Sequence, residues 1–88
     1  MIEREATIVN QEGLHARPAA KIVRLASNFD SDIELFKDGM AVNGKSIMGV
    51  MMLAAECGSS ILIRADGPDA EQAVKAISQL VQEGFGEP

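Results

Sequence analysis

The chain has 88 residues, 47% apolar and 24% charged, which is enough for one soluble core and leaves no room for a second. Residues 1–88 are therefore read as a single domain of modest stability. Three Phe with no Trp or Tyr exclude a module that stacks bases or sugar rings on aromatic platforms, and a net charge of −5 argues against a nucleic-acid backbone as the main partner.

The acidic start Met1-Ile2-Glu3-Arg4-Glu5 is unlike a secretory signal, and no apolar run approaches the roughly 20 residues of a membrane span. The chain is expected to begin at its own first strand. Ala6 and Ile8 alternate with Glu5 and Thr7 there, a period of two that suits a half-buried strand, before Asn10-Gln11-Glu12-Gly13 breaks it. From Ala16 to Asn28, Ala19, Ile22, Val23 and Ala26, followed by Phe29, recur at three- and four-residue steps and predict an amphipathic helix. Asp32 to Lys37 alternates again around Ile33 and Leu35, Asp38-Gly39 is a hairpin signal, and Met40-Ala41-Val42 is the returning strand.

Asn43-Gly44 turns the chain and Ser46 is suited to cap a short helix running through Leu53, with Gly58 as its stop. Ser60 to Ala65 carries Ile61, Leu62 and Ile63 as an apolar strand, and Asp66-Gly67-Pro68-Asp69 ends it with Pro placed for a helical first turn. In the last helix Ala73, Val74, Ile77, Leu80 and Val81 form one face, with Lys75, Ser78 and Gln82 outside, and Gly84 supplies the residue after its end. The order β-α-β-β-α-β-α defines a two-layer α+β domain with its sheet covered on one side. Ferredoxin-like and related split-βαβ folds share that order.

The chemistry is restricted by a single His and a single Cys. Cys57 has no partner for a disulfide or a C-x-x-C motif, and cytosolic residence is the default. Only carboxylates remain to complete a metal site around one imidazole, so neither a metal nor a cofactor is expected. A Ser-His-Asp triad lacks a nucleophile motif.

His15 stands in Gly13-Leu14-His15-Ala16-Arg17-Pro18, where a loop meets the first predicted helix. Amides at a helix start have no internal acceptor and carry the positive end of the macrodipole, so an anion is favoured there. Arg17 adds a planar fork of donors that suits phosphate oxygens, and Pro18 fixes φ where its missing N–H costs no helical bond. Positive charge nearby would keep a ring nitrogen free to act as a nucleophile. The competing reading is a solvated histidine with no chemistry.

Gly13-Leu14-His15-Ala16-Arg17-Pro18 together with Lys45-Ser46-Ile47-Met48-Gly49-Val50-Met51 resembles the HPr family, the small phosphocarriers of the bacterial phosphoenolpyruvate-dependent sugar phosphotransferase system. The likeness extends over nearly the whole chain. It implies an open-faced β-sandwich, a four-stranded antiparallel sheet with three helices on one side. It also implies a covalent phosphoryl intermediate rather than a free-standing enzyme. His15 would take the group on Nδ1 from phosphorylated enzyme I and pass it to the IIA components of sugar permeases, with Arg17 stabilising the phosphoryl oxygens.

Ser46 has a structural role as helix cap and, by resemblance, a regulatory one as the target of an HPr kinase/phosphorylase. Ala16, Ala20, Arg24, Ile47, Met48 and Met51 would form the docking face for both partners, with Arg17 and Arg24 giving it local positive character. The protein implied is a cytoplasmic monomer without direct contact to nucleic acid or membrane. Two other readings stay open. One is a regulatory binding module, related to the nitrogen branch or to catabolite control, whose phosphorylation sets partner choice; the other is an interaction domain with no phosphochemistry.

Overall fold

A computed structural model describes residues 1–88. Its elements are β1 (Ile2–Thr7), α1 (Ala16–Ala26), β2 (Asp32–Lys37), β3 (Met40–Asn43), α2 (Ile47–Met52), β4 (Ser60–Asp66) and α3 (Ala70–Gln82), with a final 3₁₀ turn at Gly84–Gly86. The strands form one antiparallel sheet in the order β1-β4-β2-β3. The late strand β4 lies between β1 and β2, which therefore run in the same direction, as a split βαβ unit requires. No helix is long and apolar enough to cross a membrane.

Alternation decides which sheet face is covered. Ala6 pairs with Ile61, Ile33 with Ala65 and Leu35 with Ile63, all six buried beneath the helices. The opposite face is wet: Arg64 sits between Glu3 and Glu34 in register, donates to the Glu3 carboxylate at 2.6 Å, and stacks over the Phe36 ring at 4.4 Å. Burial alternates along β4, with Ile61, Ile63 and Ala65 covered and Leu62 half-buried on the outer face opposite Phe36. The helical layer is closed by Ala19 and Ile22 of α1, Val50 of α2, and Ala73, Val74, Ile77 and Val81 of α3. α3 lies on β1 and β4, while α1 packs against both α2 and α3.

Several local expectations need correction. α2 stops at Met52, six residues before Gly58, because Ala54 at φ +50° already turns the chain; Gly58 instead donates its amide to Ile8 and leads into β4. Pro68 lies outside α3, whose N-cap is Asp69. That carboxylate ties two loops together: it accepts from the amides of Asp30 and Ser31, each at 2.9 Å, and from the Ser31 hydroxyl at 2.6 Å. The Ser31 hydroxyl, then the Asp30 amide, hold the Asp69 carboxyl below its usual range. Ser78 is buried rather than outside, since its hydroxyl accepts from Arg4 of β1 and donates to the Lys75 carbonyl.

Candidate functional site

The loop before α1 is shaped by Gly13. At φ +69° it adopts a conformation that disfavours a side chain, and a Cβ there would meet the Ala55 carbonyl oxygen at 2.6 Å and the Glu56 Cα at 2.9 Å. This close approach lets Leu14 donate its amide to Ala55 at 2.8 Å and bury its side chain, which sets the entry to α1. His15 follows as N-cap in extended conformation, its carbonyl accepting the first helical bond from Ala19 at 3.0 Å.

Unlike a Ser or Asp cap, the His15 side chain makes no hydrogen bond to its own helix. The amides of Ala16 and Arg17 meet no protein acceptor, and Pro18 has none to offer. The ring turns the other way. His15 Nε2 lies 2.8 Å from Glu87 Oε1 and 3.8 Å from a Glu12 carboxylate oxygen. Glu87 is ionised near neutral pH, because the hydrogen bond from His15, helped by one from Asn10, holds its carboxyl below the usual glutamate range despite desolvation. A carboxylate only accepts, so Nε2 carries a proton, and in the neutral ring Nδ1 then presents a lone pair.

Glu87 reaches this place through an anchored tail. Phe85 is 1% exposed although its φ is +58°, a conformation costly for any residue with a Cβ; burial of the ring offsets that strain. Lys21 of α1 donates to the Phe85 carbonyl, and the Gln11 amide donates to Pro88 at 2.8 Å. Buried Asn10 completes the support, its Nδ2 donating to the Gly13 carbonyl at 2.8 Å and to Glu87 Oε1 at 3.0 Å. Two acceptors on that side fix the orientation of the amide.

Loop, helix start and tail together line an open hollow bounded by Gln11, Glu12, His15, Ala16, Arg17, Glu87 and Pro88. Arg17 is exposed, without an ion-pair partner, and on the rim beside His15. The surroundings of the ring are less cationic than the sequence suggests, since two carboxylates flank Nε2 where only positive charge was expected.

Ser46 caps α2, its hydroxyl accepting from the Gly49 amide at 3.1 Å. The helix buries only Val50, so Ile47, Met48 and Met51 are all exposed, as is Met52, which the sequence reading did not single out. On α1, Ala16 and Arg24 are exposed and Ala20 is half-buried. Sequence reasoning also missed Asn10, Glu12 and Glu87. Glu12 and Asn10 carried a local signal, being three and five residues from His15, but Glu87 carried none.

The fold and site define a small α+β protein presenting one histidine at an anion-favouring helix start. Residues 2–83 match the family model described as the PTS HPr component phosphorylation site. The chain is 48% identical over 87 residues to the phosphocarrier protein HPr of Cupriavidus necator, covering 99% of this chain and 98% of that one. It is 49% identical over 87 residues to the HPr of Treponema pallidum, with 99% of each chain covered. Among solved structures, HPr-C-His from Thermoanaerobacter tengcongensis superposes with a TM-score of 0.95 at 46% identity, covering 100% of this chain and 99% of that one. The Bacillus subtilis catabolite repression protein Crh, solved as a domain-swapped dimer, gives 0.77 at 42% identity, covering 94% of this chain and 95% of that one. The chain belongs to the HPr family of phosphocarriers of the phosphotransferase system. The tail residue Glu87 lies beyond the matched stretch.

Proposed function

We propose that His15 carries a phosphoryl group between phosphorylated enzyme I and the IIA domains of sugar permeases. The observation that carries this reading is the 2.8 Å contact of Nε2 with Glu87 at a helix start whose first amides are unpaired. Nδ1 attacks phosphorus as the bond to the donor nitrogen breaks. The ring keeps its Nε2 proton and gains positive charge, which the Glu87 carboxylate compensates. Arg17 pairs with the phosphoryl oxygens, and the amides of Ala16 and Arg17 supply further donors. The N–P bond stays labile enough for onward transfer, and catalysis rests on positioning and charge.

Ala16, Ala20, Arg24, Ile47, Met48 and Met51, extended by the exposed Met52, form the docking face, and the packing of α1 on α2 supports it. Flexible methionines suit a surface that must fit more than one partner. Ser46 is the regulatory site of an HPr kinase/phosphorylase. A phosphate there would add about −1.5 to −2 charges at the start of α2 without removing its cap, so the effect falls on partners. The carrier works as a cytoplasmic monomer.

Incubation with phosphoenolpyruvate and enzyme I tests the reading. The native chain should acquire an acid-labile, base-stable phosphoryl group, and His15→Ala should not; persistent labelling of that variant overturns the assignment. A second reading, a regulatory module that selects partners, draws on the likeness to Crh, described as the catabolite repression HPr. It gains if the chain is labelled normally yet fails to restore sugar uptake in cells lacking their own carrier.

A further inference from the structure

Glu12 has no part in the phosphoryl reading, yet it faces the same ring nitrogen as Glu87. The ligand atoms of Glu12, His15 and Glu87 all lie within 4.8 Å of one another, contributed by the loop, the helix cap and the tail. A tetrahedral divalent ion with bonds of about 2.0–2.2 Å holds its donors roughly 3.3–3.6 Å apart. The present spacings from Nε2, 2.8 Å to Glu87 and 3.8 Å to Glu12, bracket that value. Small side-chain adjustments would therefore close the site. Glu87 is the rigid donor, fixed by Asn10 and the Phe85 anchor, and the exposed Glu12 is the adaptable one. Two carboxylates balance a charge of +2, and one imidazole with two carboxylates suits zinc rather than the all-oxygen preference of magnesium or calcium. Open solvent on the Glu12 side admits a fourth ligand.

We propose that Glu12, His15 and Glu87 form a binding site for a zinc-class divalent cation, and that its occupancy prevents His15 from accepting a phosphoryl group. The second part rests on the phosphocarrier reading, whereas the first does not. A neutral imidazole has one N–H and one lone pair. The ion takes the lone pair of Nε2 and displaces the proton shared with Glu87, so the ring proton resides on Nδ1 and none is released. Nδ1, the nitrogen that attacks phosphorus, then has no free lone pair. The cation thus selects the tautomer opposite to the one Glu87 holds in its absence.

The test titrates the full chain with Zn²⁺ alone, following heat and the ¹⁵N resonances of the His15 ring. One ion should bind per chain, with Nε2 moving to a metal-bound shift and Nδ1 to that of a protonated nitrogen, and Mg²⁺ at the same concentration should move neither. Glu12→Gln and Glu87→Gln should each weaken binding about tenfold or more, with circular dichroism confirming that both remain folded. Unmoved ring resonances, or native affinity in both variants, overturn the site. With enzyme I present, zinc should slow labelling of the native chain and slow that of Glu12→Gln only at about tenfold higher concentration. Equal sensitivity of the two chains, or normal labelling while the ring is metal-bound, overturns the block. If the native chain takes no label even without zinc, the phosphocarrier reading fails and the resonances still decide the site.

Discussion

Phe85 is the residue on which the geometry of the ring depends, although it touches no part of the chemistry. Replacing it with Ala removes an aromatic side chain that is 1% exposed, a change that costs about 3–5 kcal/mol in a core that cannot collapse. For 88 residues the unfolding entropy is about 0.18 kcal/mol per kelvin, so Tm should fall by about 17–28 °C. The backbone adds a finer expectation. Ala at φ +58° retains the strain that Phe bears, whereas Gly is relieved of about 1 kcal/mol. Phe85→Gly should therefore be more stable than Phe85→Ala, the reverse of the order in an ordinary helix or strand. Thermal unfolding by circular dichroism gives both numbers, and the ring resonances of His15 below Tm report whether Glu87 is still docked. A fall in Tm under about 5 °C with unchanged His15 resonances would refute the anchor, and a less stable Gly variant would refute the strain.

Gly13→Ala combines a left-handed alanine with a Cβ pressed against the backbone at Ala55 and Glu56, and should cost about 2–4 kcal/mol in urea unfolding. Ser46→Ala removes the hydroxyl that accepts from Gly49 and should cost about 1 kcal/mol, or roughly 5 °C in Tm. Ser46→Asp keeps an acceptor at that place, so the far-ultraviolet circular dichroism should not change while phosphoryl transfer from enzyme I slows. Asp69 and Glu87 both have lowered carboxyl values when folded, so their contribution is complete above the usual carboxylate range and is lost as pH falls through those depressed values. Ser31→Ala removes the largest cause of the Asp69 shift, and the acid unfolding midpoint should move to higher pH; an unmoved midpoint would count against that tie.

Much of the fold was legible because it repeats. Ala19, Ile22 and Ala26 mark the buried stripe of α1, Ile33 and Leu35 the covered face of β2, and Asp38-Gly39 the hairpin, where both residues have positive φ. Ends of elements were less legible, since they depend on contacts elsewhere. Ala54 ends α2 in a conformation that its residue type does not favour, and Asp69 caps α3 while its carboxylate serves the loop before β2. Ser78 read as a solvent-facing residue until Arg4 of β1 supplied the partner that permits its burial.

The sequence by itself determined the helix start that presents His15 and Arg17, the proposed reactive centre. One imidazole beside Arg17 at the start of an amphipathic helix is a local arrangement, written in consecutive residues and enforced by helix electrostatics. Only the tertiary structure decided what the ring faces. Glu87 is 72 residues away, and it reaches Nε2 because a buried Phe85, held in a conformation costly for its type, turns the tail back against the loop at Asn10 and Gln11. Neither composition nor periodicity encodes such a contact, which arises only when the core has formed and the C-terminal tail meets the loop before α1. That closure gives the neutral form of a lone histidine a defined tautomer, and it adds a distant third donor to the two, Glu12 and His15, that stand three residues apart in the chain.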